Sequence, residues 1–302
     1  MTIQELKIKL LNDLAQIFPK EEILSFFYLL LNHKLRLTKI DIVLNPNEII
    51  NQTQLDFFLN ALTQLKQEKP IQYIIGETEF YGSIFKLNKN VLIPRPETEE
   101  LIEWVLKEER HNKEDGKPLR ILDIGTGSGC IAISLAKHLP KATVFALDIS
   151  QQALKITKQN AKLNNVNIHF IEGDILQPNS ITNITSSVVE RLSNEKFLSS
   201  KFDIIVSNPP YVRELEKQEI QNNVLQNEPH LALFVADENP LSFYDKIADF
   251  ANENLNKNGE LYVEINQYLG KETVELLLQK GFTNIKLKKD ILGNDRMIKA
   301  LR

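Results

Sequence analysis

The sequence predicts an α/β fold, with a mostly parallel sheet that has helices on both faces, preceded by a small all-α bundle and a β-hairpin linker. Three observations support this prediction. From Leu119 onward, apolar strand-like runs alternate with helical patterns, as in parallel sheets. Residues 1–69 contain no glycine and repeat apolar residues at helical spacing. Residues 70–96 are aromatic, β-branched and interrupted by glycine and proline, which is typical of a hairpin that ends in an extended segment.

The N-terminal region, residues 1–69, is expected to be a helical domain that recognises a protein substrate. Leu6, Leu10 and Leu14 recur at the spacing of one helix face. Acidic and basic residues occur here in equal numbers, so the region lacks the basic surface that phosphate binding requires. A small helical bundle that docks a protein partner fits this pattern better than a domain that binds phosphate groups.

Residues 97–302 carry the alternating pattern, and their first helix is expected to begin near Glu97. The expected strands are RILDIG, ATVFALDIS, NIHFIEGD, FDIIVSNPPY, GELYVEI, NIKLKKD and RMIKAL. Leu292-Gly293-Asn294 joins the last two, and so short a connection requires antiparallel pairing. Residues 177–200, rich in Ser, Thr and Asn, are interpreted as an insertion loop with a short helix around Val188 to Leu192.

A glycine-rich loop between the first of these strands and the next helix predicts a nucleotide-type cofactor. The loop is Asp123-Ile124-Gly125-Thr126-Gly127-Ser128-Gly129, and Asp148 follows at the distance typical of an acid that holds a ribose diol. The dinucleotide fingerprint needs a glycine where Cys130 stands. The D-x-G-x-G-x-G spacing resembles the S-adenosylmethionine loop of Rossmann-like methyltransferases. The acidic Asp123 also suits the ammonium and sulfonium groups of that ligand. A purely structural glycine turn is the alternative.

Asn208-Pro209-Pro210-Tyr211 directly follows the FDIIV strand, at the edge of an open α/β sheet where ligands bind. The two prolines make the loop rigid. The Asn208 side-chain oxygen and the Pro209 carbonyl can accept the two N–H bonds of a planar NH2 group, on which Tyr211 can stack. Orientation would then let an amide or exocyclic amine attack a methyl carbon without a strong base. A proline turn that only ends the strand is the alternative.

Together these motifs resemble amino methyltransferases, and further segments resemble the release factor glutamine methyltransferase family. The segments are Gly82 to Glu99 with its run Ile93-Pro94-Arg95-Pro96-Glu97-Thr98-Glu99, Glu228-Pro229, Ala232-Leu233, Glu264-Ile265-Asn266-Gln267 and Gly293-Asn294-Asp295-Arg296. The resemblance covers nearly the whole chain. It implies a Rossmann-like class I methyltransferase domain with a seven-stranded sheet and an antiparallel C-terminal strand.

The same resemblance implies the reaction. A methyl group would pass from S-adenosyl-L-methionine, leaving S-adenosyl-L-homocysteine, to the side-chain amide nitrogen (N5) of the glutamine in the Gly-Gly-Gln motif of peptide chain release factors. Such a protein would modulate translation termination.

The resemblance also implies site residues. Asn208 to Tyr211 would hold the glutamine, and the cofactor would be held by Asp123, Gly125, Thr126, Gly127, Ser128, Gly129, Asp148, Asp174, Ile175 and Asn208. The family can place an aromatic residue after the acid that ends the third strand. Here Ile175 and Leu176 follow that acid, so adenine packing there would be aliphatic. Arg95 is either a fixed cation near the entrance or a solvated linker residue.

Composition narrows the class of protein. The 302 residues include 36 Lys and Arg and 40 Asp and Glu, for a formal net charge of −4. This charge counts against stable nucleic-acid binding, and therefore against a nucleic-acid adenine or cytosine amino methyltransferase, which remains an alternative. A non-catalytic adaptor with a degenerate Rossmann-like domain is the second alternative. No metal is expected, because the five histidines lack ligand spacing.

The expected compartment is the cytoplasm. The single cysteine, Cys130, cannot form an internal disulfide, and we expect it and Trp104 to pack in the core. The first apolar stretch is interrupted by charges and resembles an amphipathic helix, and the longest apolar run is too short for a membrane span. A monomer without membrane contact is the expected state.

Overall fold

The computed structural model describes residues 1–111, 118–177, 181, 183–186 and 201–302. The chain divides into two compact units, one of residues 1–77 with 221–227 and one of 78–220 with 228–302. Within the described ranges, no helix is both long enough and apolar enough to cross a membrane.

The first unit is helical, as predicted. Its helices are α1 (Ile3–Leu14), α2 (Lys20–Leu35), α3 (Lys39–Leu44), α4 (Gln52–Leu65) and α5 (Ile71–Ile75), with a short helix at Asn222–Asn227. Reciprocal capping boxes at Thr2, Thr38 and Asn51 begin three of them. The apolar faces of α1, α2 and α4 form one core.

Helix α5 corrects the prediction that the strand-like linker begins at residue 70. Pro70 precedes the helix and Gly76 ends it with a φ of +79°. Proline suits the start of a helix and glycine its left-handed end, so these two residues outweigh the β-branched residues between them. Ile71 and Tyr73 are buried.

The predicted hairpin is confirmed further along the chain. Its strands are β1 (Glu77–Phe80) and β2 (Ser83–Lys86). Tyr81 and Gly82 connect them, and both have positive φ, as a two-residue hairpin turn of the mirror-image type requires.

The second unit contains a sheet of eight strands. The strands are β3 (Arg120–Ile124), β4 (Thr143–Asp148), β5 (Ile168–Glu172), β6 (Asn183–Ser186), β7 (Phe202–Ser207), β10 (Leu255–Glu264), β11 (Thr283–Lys289) and β12 (Asp295–Leu301). Their order across the sheet is β11-β12-β10-β7-β3-β4-β5-β6. Strands β3, β4, β5, β7 and β10 run parallel, and β12 pairs antiparallel with both β10 and β11. The predicted mostly parallel arrangement of seven strands is therefore confirmed, and β6 adds an eighth strand at the sheet edge. A small parallel pair, β8 (Val212–Arg213) and β9 (Phe234–Val235), lies outside this sheet.

Strand β6 is the eighth strand and lies inside the predicted insertion loop. It pairs antiparallel with β5 at the sheet edge, so this part of residues 177–200 is not a loop. The pairing covers one edge of β5, whose backbone groups would otherwise lack partners. The helix predicted around Val188 to Leu192 lies outside the described residues.

Helices cover both faces of the sheet, as predicted. Helices α6 (Pro96–His111), α7 (Cys130–His138) and α8 (Gln151–Leu163) pack on one face. Helices α9 (Ser242–Asn254) and α10 (Gly270–Gln279) pack on the other. Trp104 is buried edge-to-face against Tyr262, and Cys130 packs against the same core, so both have the packing role expected of them.

Strand register determines where polar residues meet. Ile124 is paired with both Leu147 and Ser207, and Ser207 with Val263. The residues that follow these positions therefore lie side by side at the carboxyl edge of the sheet.

Candidate active site

A cavity of about 370 Å³ lies at this carboxyl edge, within the second unit. The predicted site residues that line it are Gly125, Gly127, Asp148, Asp174, Ile175, Asn208 and Pro210. The volume suits a small-molecule ligand, and the position is the one at which open α/β sheets bind ligands. The structure thus brings the glycine loop, the ribose acid and the Asn-Pro-Pro-Tyr motif to one cavity.

The glycine loop adopts a backbone that other residues rarely tolerate. Gly125, Gly127 and Gly129 have φ of +72°, +55° and +83°. A Cβ at Gly129 would lie 2.5 Å from Thr157 Cγ2, so a larger residue would displace α8. The amide of Gly125 donates to the carbonyl of Leu147 at 2.8 Å, which joins the loop to β4.

Asp148 lines the cavity and also supports the loop. Its Oδ2 accepts from the amide of Gly127 and its Oδ1 from that of Ser150, each at 2.8 Å. Burial raises the pKa of this carboxyl, and the two hydrogen bonds partly oppose that shift. Each oxygen retains a further lone pair for a ligand hydroxyl.

Asp123 lies beneath the loop and does not line the cavity. Its Oδ2 accepts from Thr126 Oγ1 at 2.6 Å and from the amide of Ala132 at 3.2 Å. Its buried Oδ1 has no hydrogen-bond partner among the described residues. Burial is the main reason that the pKa of Asp123 rises to about 7, and the hydrogen bonds from Thr126 and Ala132 oppose the rise.

Two residues of α8 that the motifs did not indicate support the loop. Thr157 Oγ1 donates to the carbonyl of Gly127 at 2.8 Å. Asn160 Nδ2 donates to the carbonyl of Ser128 at 2.9 Å. Both are fully buried, and polar residues on the buried face of a predicted helix are the signal that could have identified them. Thr126, Ser128 and Gly129 shape the loop without lining the cavity.

Hydrogen bonds to buried side chains hold the Asn-Pro-Pro-Tyr motif on the side away from the cavity. Asn208 Nδ2 donates to Thr98 Oγ1 at 3.1 Å, and the Tyr211 hydroxyl donates to Glu264 Oε1 at 3.0 Å. Burial raises the pKa of the Tyr211 hydroxyl far above its usual range, so it stays protonated. Asn208 and Pro210 line the cavity, whereas Pro209 and Tyr211 do not.

Arg95 is half-buried and does not line the cavity. It forms an ion pair with the buried Glu228 at 2.6 Å, and Glu228 also accepts from the amide of Ile93 at 3.1 Å. Pro229 and Leu231, next along the chain, do line the cavity. Arg95 therefore holds a wall segment in place.

The rest of the cavity wall is mostly apolar, although Lys89, Asn90, Ser150 and Gln152 also line it. Ile149, Ile175 and Leu176 supply aliphatic surface, as the absence of an aromatic after Asp174 predicted. Phe243, in the first turn of α9, also lines the cavity, and its sequence context gave no indication of this. A cavity with mostly apolar walls, a glycine turn and the carboxylates of Asp148 and Asp174 fits a ligand with a planar base, a diol and a positive charge.

Comparisons with known proteins cover the whole chain. Residues 115–281 match a family model described as a methyltransferase domain, and residues 13–76 match the PrmC N-terminal domain. A release factor glutamine methyltransferase of Flavobacterium psychrophilum is 54% identical over 300 residues, 99% of both chains. One of Bacteroides thetaiotaomicron is 40% identical over 291 residues, 96% of this chain and 97% of that one. A solved methyltransferase from Pyrococcus furiosus has a TM-score of 0.48 at 16% identity, over 83% of this chain and 98% of that one.

Proposed function

We propose that this chain, which belongs to the release factor glutamine methyltransferase family, methylates the side-chain amide nitrogen of a glutamine in peptide chain release factors. The glutamine is that of the Gly-Gly-Gln motif, and the methyl donor is S-adenosylmethionine. The placement of Asn208 on the same cavity as the glycine loop and Asp148 is the observation on which the proposal rests.

The residues present fit this cofactor. Asp148 offers free lone pairs for the ribose diol, and the backbone at Gly125 and Gly127 allows close approach. Ile175 and Phe243 provide apolar surface for the adenine. Asp123, one of whose buried oxygens has no hydrogen-bond partner within the described part of the chain, supplies negative potential beneath the loop when it is ionised. No metal enters the proposed mechanism.

When bound, S-adenosylmethionine supplies an electrophilic methyl group on a sulfonium and leaves as S-adenosylhomocysteine, because the electron pair of the broken S–C bond stays on sulfur. The substrate amide nitrogen provides the electron pair of the new C–N bond and afterwards loses one proton to solvent. An amide nitrogen is a poor nucleophile because its lone pair is delocalised. The protein must therefore supply orientation.

Asn208 and Pro209 supply that orientation. The Asn208 side-chain oxygen and the Pro209 carbonyl accept the two N–H bonds of the glutamine amide, which turns the nitrogen lone pair toward the methyl carbon. The prolines fix the backbone that carries both acceptors before the substrate arrives, so little reorganisation occurs during the reaction. Tyr211, whose hydroxyl is held by Glu264, supports the motif from the core side. We further propose that residues 1–69 recognise the release factor, in the cytoplasm.

The test is a methylation assay with Asn208→Ala as the comparison. Purified protein, S-adenosylmethionine and a release factor are incubated, and the tryptic Gly-Gly-Gln peptide is weighed by mass spectrometry. We expect a gain of one methyl group on the glutamine and a kcat about 100-fold lower in the variant, since it loses a hydrogen bond made in the transition state.

Two outcomes would contradict the proposal. An unmodified peptide with bound cofactor would remove the substrate assignment, and methylation of duplex DNA in a parallel reaction would favour the nucleic-acid alternative. An Asn208→Ala variant within threefold of wild type would remove the role given to Asn208.

A further inference from the structure

A buried row of hydrogen bonds runs behind Asn208. Asn208 Nδ2 donates to Thr98 Oγ1 at 3.1 Å, and Thr98 Oγ1 donates to Glu264 Oε2 at 2.7 Å. Thr98 and Glu264 are 2% and 1% exposed. Thr98 lies in the first turn of α6 and Glu264 ends β10, and the proposed reaction so far gives Thr98 no role.

The protons available on these side chains determine which atom donates and which accepts in each hydrogen bond. A hydroxyl has one proton to donate, and an ionised carboxylate can only accept. The proton of Thr98 is therefore directed to Glu264, and the Thr98 oxygen has only lone pairs left for Asn208. Asn208 must present its NH2 group to Thr98, which turns its carbonyl oxygen away from Thr98.

We infer that Thr98 and Glu264 are positioning residues that fix the orientation of the Asn208 amide, so that its oxygen and not its NH2 group faces the substrate nitrogen. This inference rests on the proposed function. An amide turned over by 180° would place a donor against the NH2 group of the glutamine, and two donors cannot form a hydrogen bond.

The surroundings of Glu264 support this role. Ser207 and Val263 are paired in neighbouring parallel strands, so Asn208 and Glu264 follow them side by side. The second oxygen of Glu264 accepts from the Tyr211 hydroxyl at 3.0 Å, so this one carboxylate supports both ends of the motif. Burial raises the pKa of Glu264, and the hydrogen bonds from Thr98 and Tyr211 together with the positive charge of Arg296 oppose that rise and favour the ionised carboxylate.

The test compares Thr98→Val with Thr98→Ser. Valine keeps the shape of threonine but removes the hydroxyl, and we expect kcat for release factor methylation to fall about tenfold to 100-fold. The KM for S-adenosylmethionine should stay within threefold of wild type. Serine restores the hydroxyl and should return kcat to within about threefold of wild type. If the valine variant does not fold, Thr98→Ala takes its place.

Thr273→Val is the matched control. Thr273 is a fully buried threonine of α10, and its hydroxyl donates to the carbonyl of Leu269 at 2.7 Å. Its loss should lower the melting temperature without changing kcat. An equal fall in kcat for both valine variants would show that the effect is general destabilisation and would overturn the inference.

A double-mutant cycle separates positioning from other effects. In the Asn208→Ala background the row has nothing left to orient, so Thr98→Val should change kcat by less than about twofold. A full tenfold fall in that background, or a single Thr98→Val variant within threefold of wild type, would overturn the inference. A wild-type protein that leaves the glutamine unmethylated would instead contradict the proposed function.

Discussion

Asp123 shows at the scale of one residue how burial changes the chemistry of a carboxyl. The unfolded chain would lose this proton near pH 3.8, and the folded protein loses it near pH 7. Between these values the folded state binds more protons than the unfolded state, so the free energy of unfolding falls as pH rises. The group therefore costs the protein about 4 kcal/mol above pH 7.

Asp123→Asn should remove this cost. The asparagine oxygen can still accept from Thr126 Oγ1 and the amide of Ala132, while no charge is buried. The asparagine NH2 group takes the place of the unpartnered Oδ1 and offsets part of this gain, but its cost does not depend on pH. We therefore expect the free energy of unfolding of the variant, relative to wild type, to rise by several kcal/mol between pH 4 and pH 8. Urea denaturation at a series of pH values measures this. A difference that does not change with pH would mean that Asp123 does not titrate in this window.

Some site residues could be predicted from sequence because they follow strands. Gly125, Asp148 and Asn208 each lie at the end of a parallel strand, and such ends meet at one sheet edge. Thr98 and Phe243 lie in helices, so their distance from the cavity depends on how α6 and α9 pack against the sheet. Local spacing contains no information on that packing, and neither residue could be assigned to the site from sequence.

At the scale of elements, α8 joins the hairpin to the glycine loop through one side chain. Asn160 Oδ1 accepts from the amide of Lys86 at 2.6 Å, and its Nδ2 donates to the carbonyls of Lys86 and Ser128 at 3.0 and 2.9 Å. The position of the cofactor loop therefore depends on β2 as well as on β3 and β4.

Asn160→Ala should destabilise the second unit. The change leaves the carbonyl of the buried Ser128 without its side-chain donor and removes two hydrogen bonds to the Lys86 backbone, which we expect to cost about 2–4 kcal/mol. Asn164→Ala is the control, because Asn164 ends α8 one turn later and its Nδ2 donates to the carbonyl of the exposed Ile84 and to that of Asn160, which also accepts from the Asn164 amide. Urea denaturation should show a cost below about 1 kcal/mol for that variant. Equal costs for the two variants would refute the role of Asn160.

The elements themselves were predictable to different degrees. Long runs with a clear period, such as α1 and the core strands, were correctly predicted, because burial of one face determines them. Ile71–Ile75 was wrongly predicted as strand, because its flanking Pro70 and Gly76 decide its conformation more than its own residues do. Strand β6 could not be predicted, since its own composition indicates a loop and its conformation depends on pairing with β5.

At the scale of the whole molecule, the cavity is lined entirely by residues of the second unit. The helical core of residues 1–77 supplies none of its walls. Binding of the cofactor should therefore stabilise the two units unequally, because a ligand adds free energy only to the structure that forms its site.

Hydrogen exchange with S-adenosylmethionine should reveal this inequality. At about 100 times its dissociation constant the cofactor adds about 2.7 kcal/mol, which should raise the melting temperature of the second unit by about 5–10 °C. Amides of the glycine loop should exchange more slowly, and those of residues 3–65 should not change.

Asp148→Asn should lose at least half of the thermal shift, because it removes a charged acceptor from the cavity wall. Asp203→Asn is the matched control. Asp203 lies at the opposite end of β7 and accepts from the amide of Arg120 at 2.8 Å. Its change should lower the melting temperature of the cofactor-free protein and leave the cofactor-induced shift in melting temperature intact. Equal protection of residues 3–65 on cofactor binding would show that the two units do not respond separately.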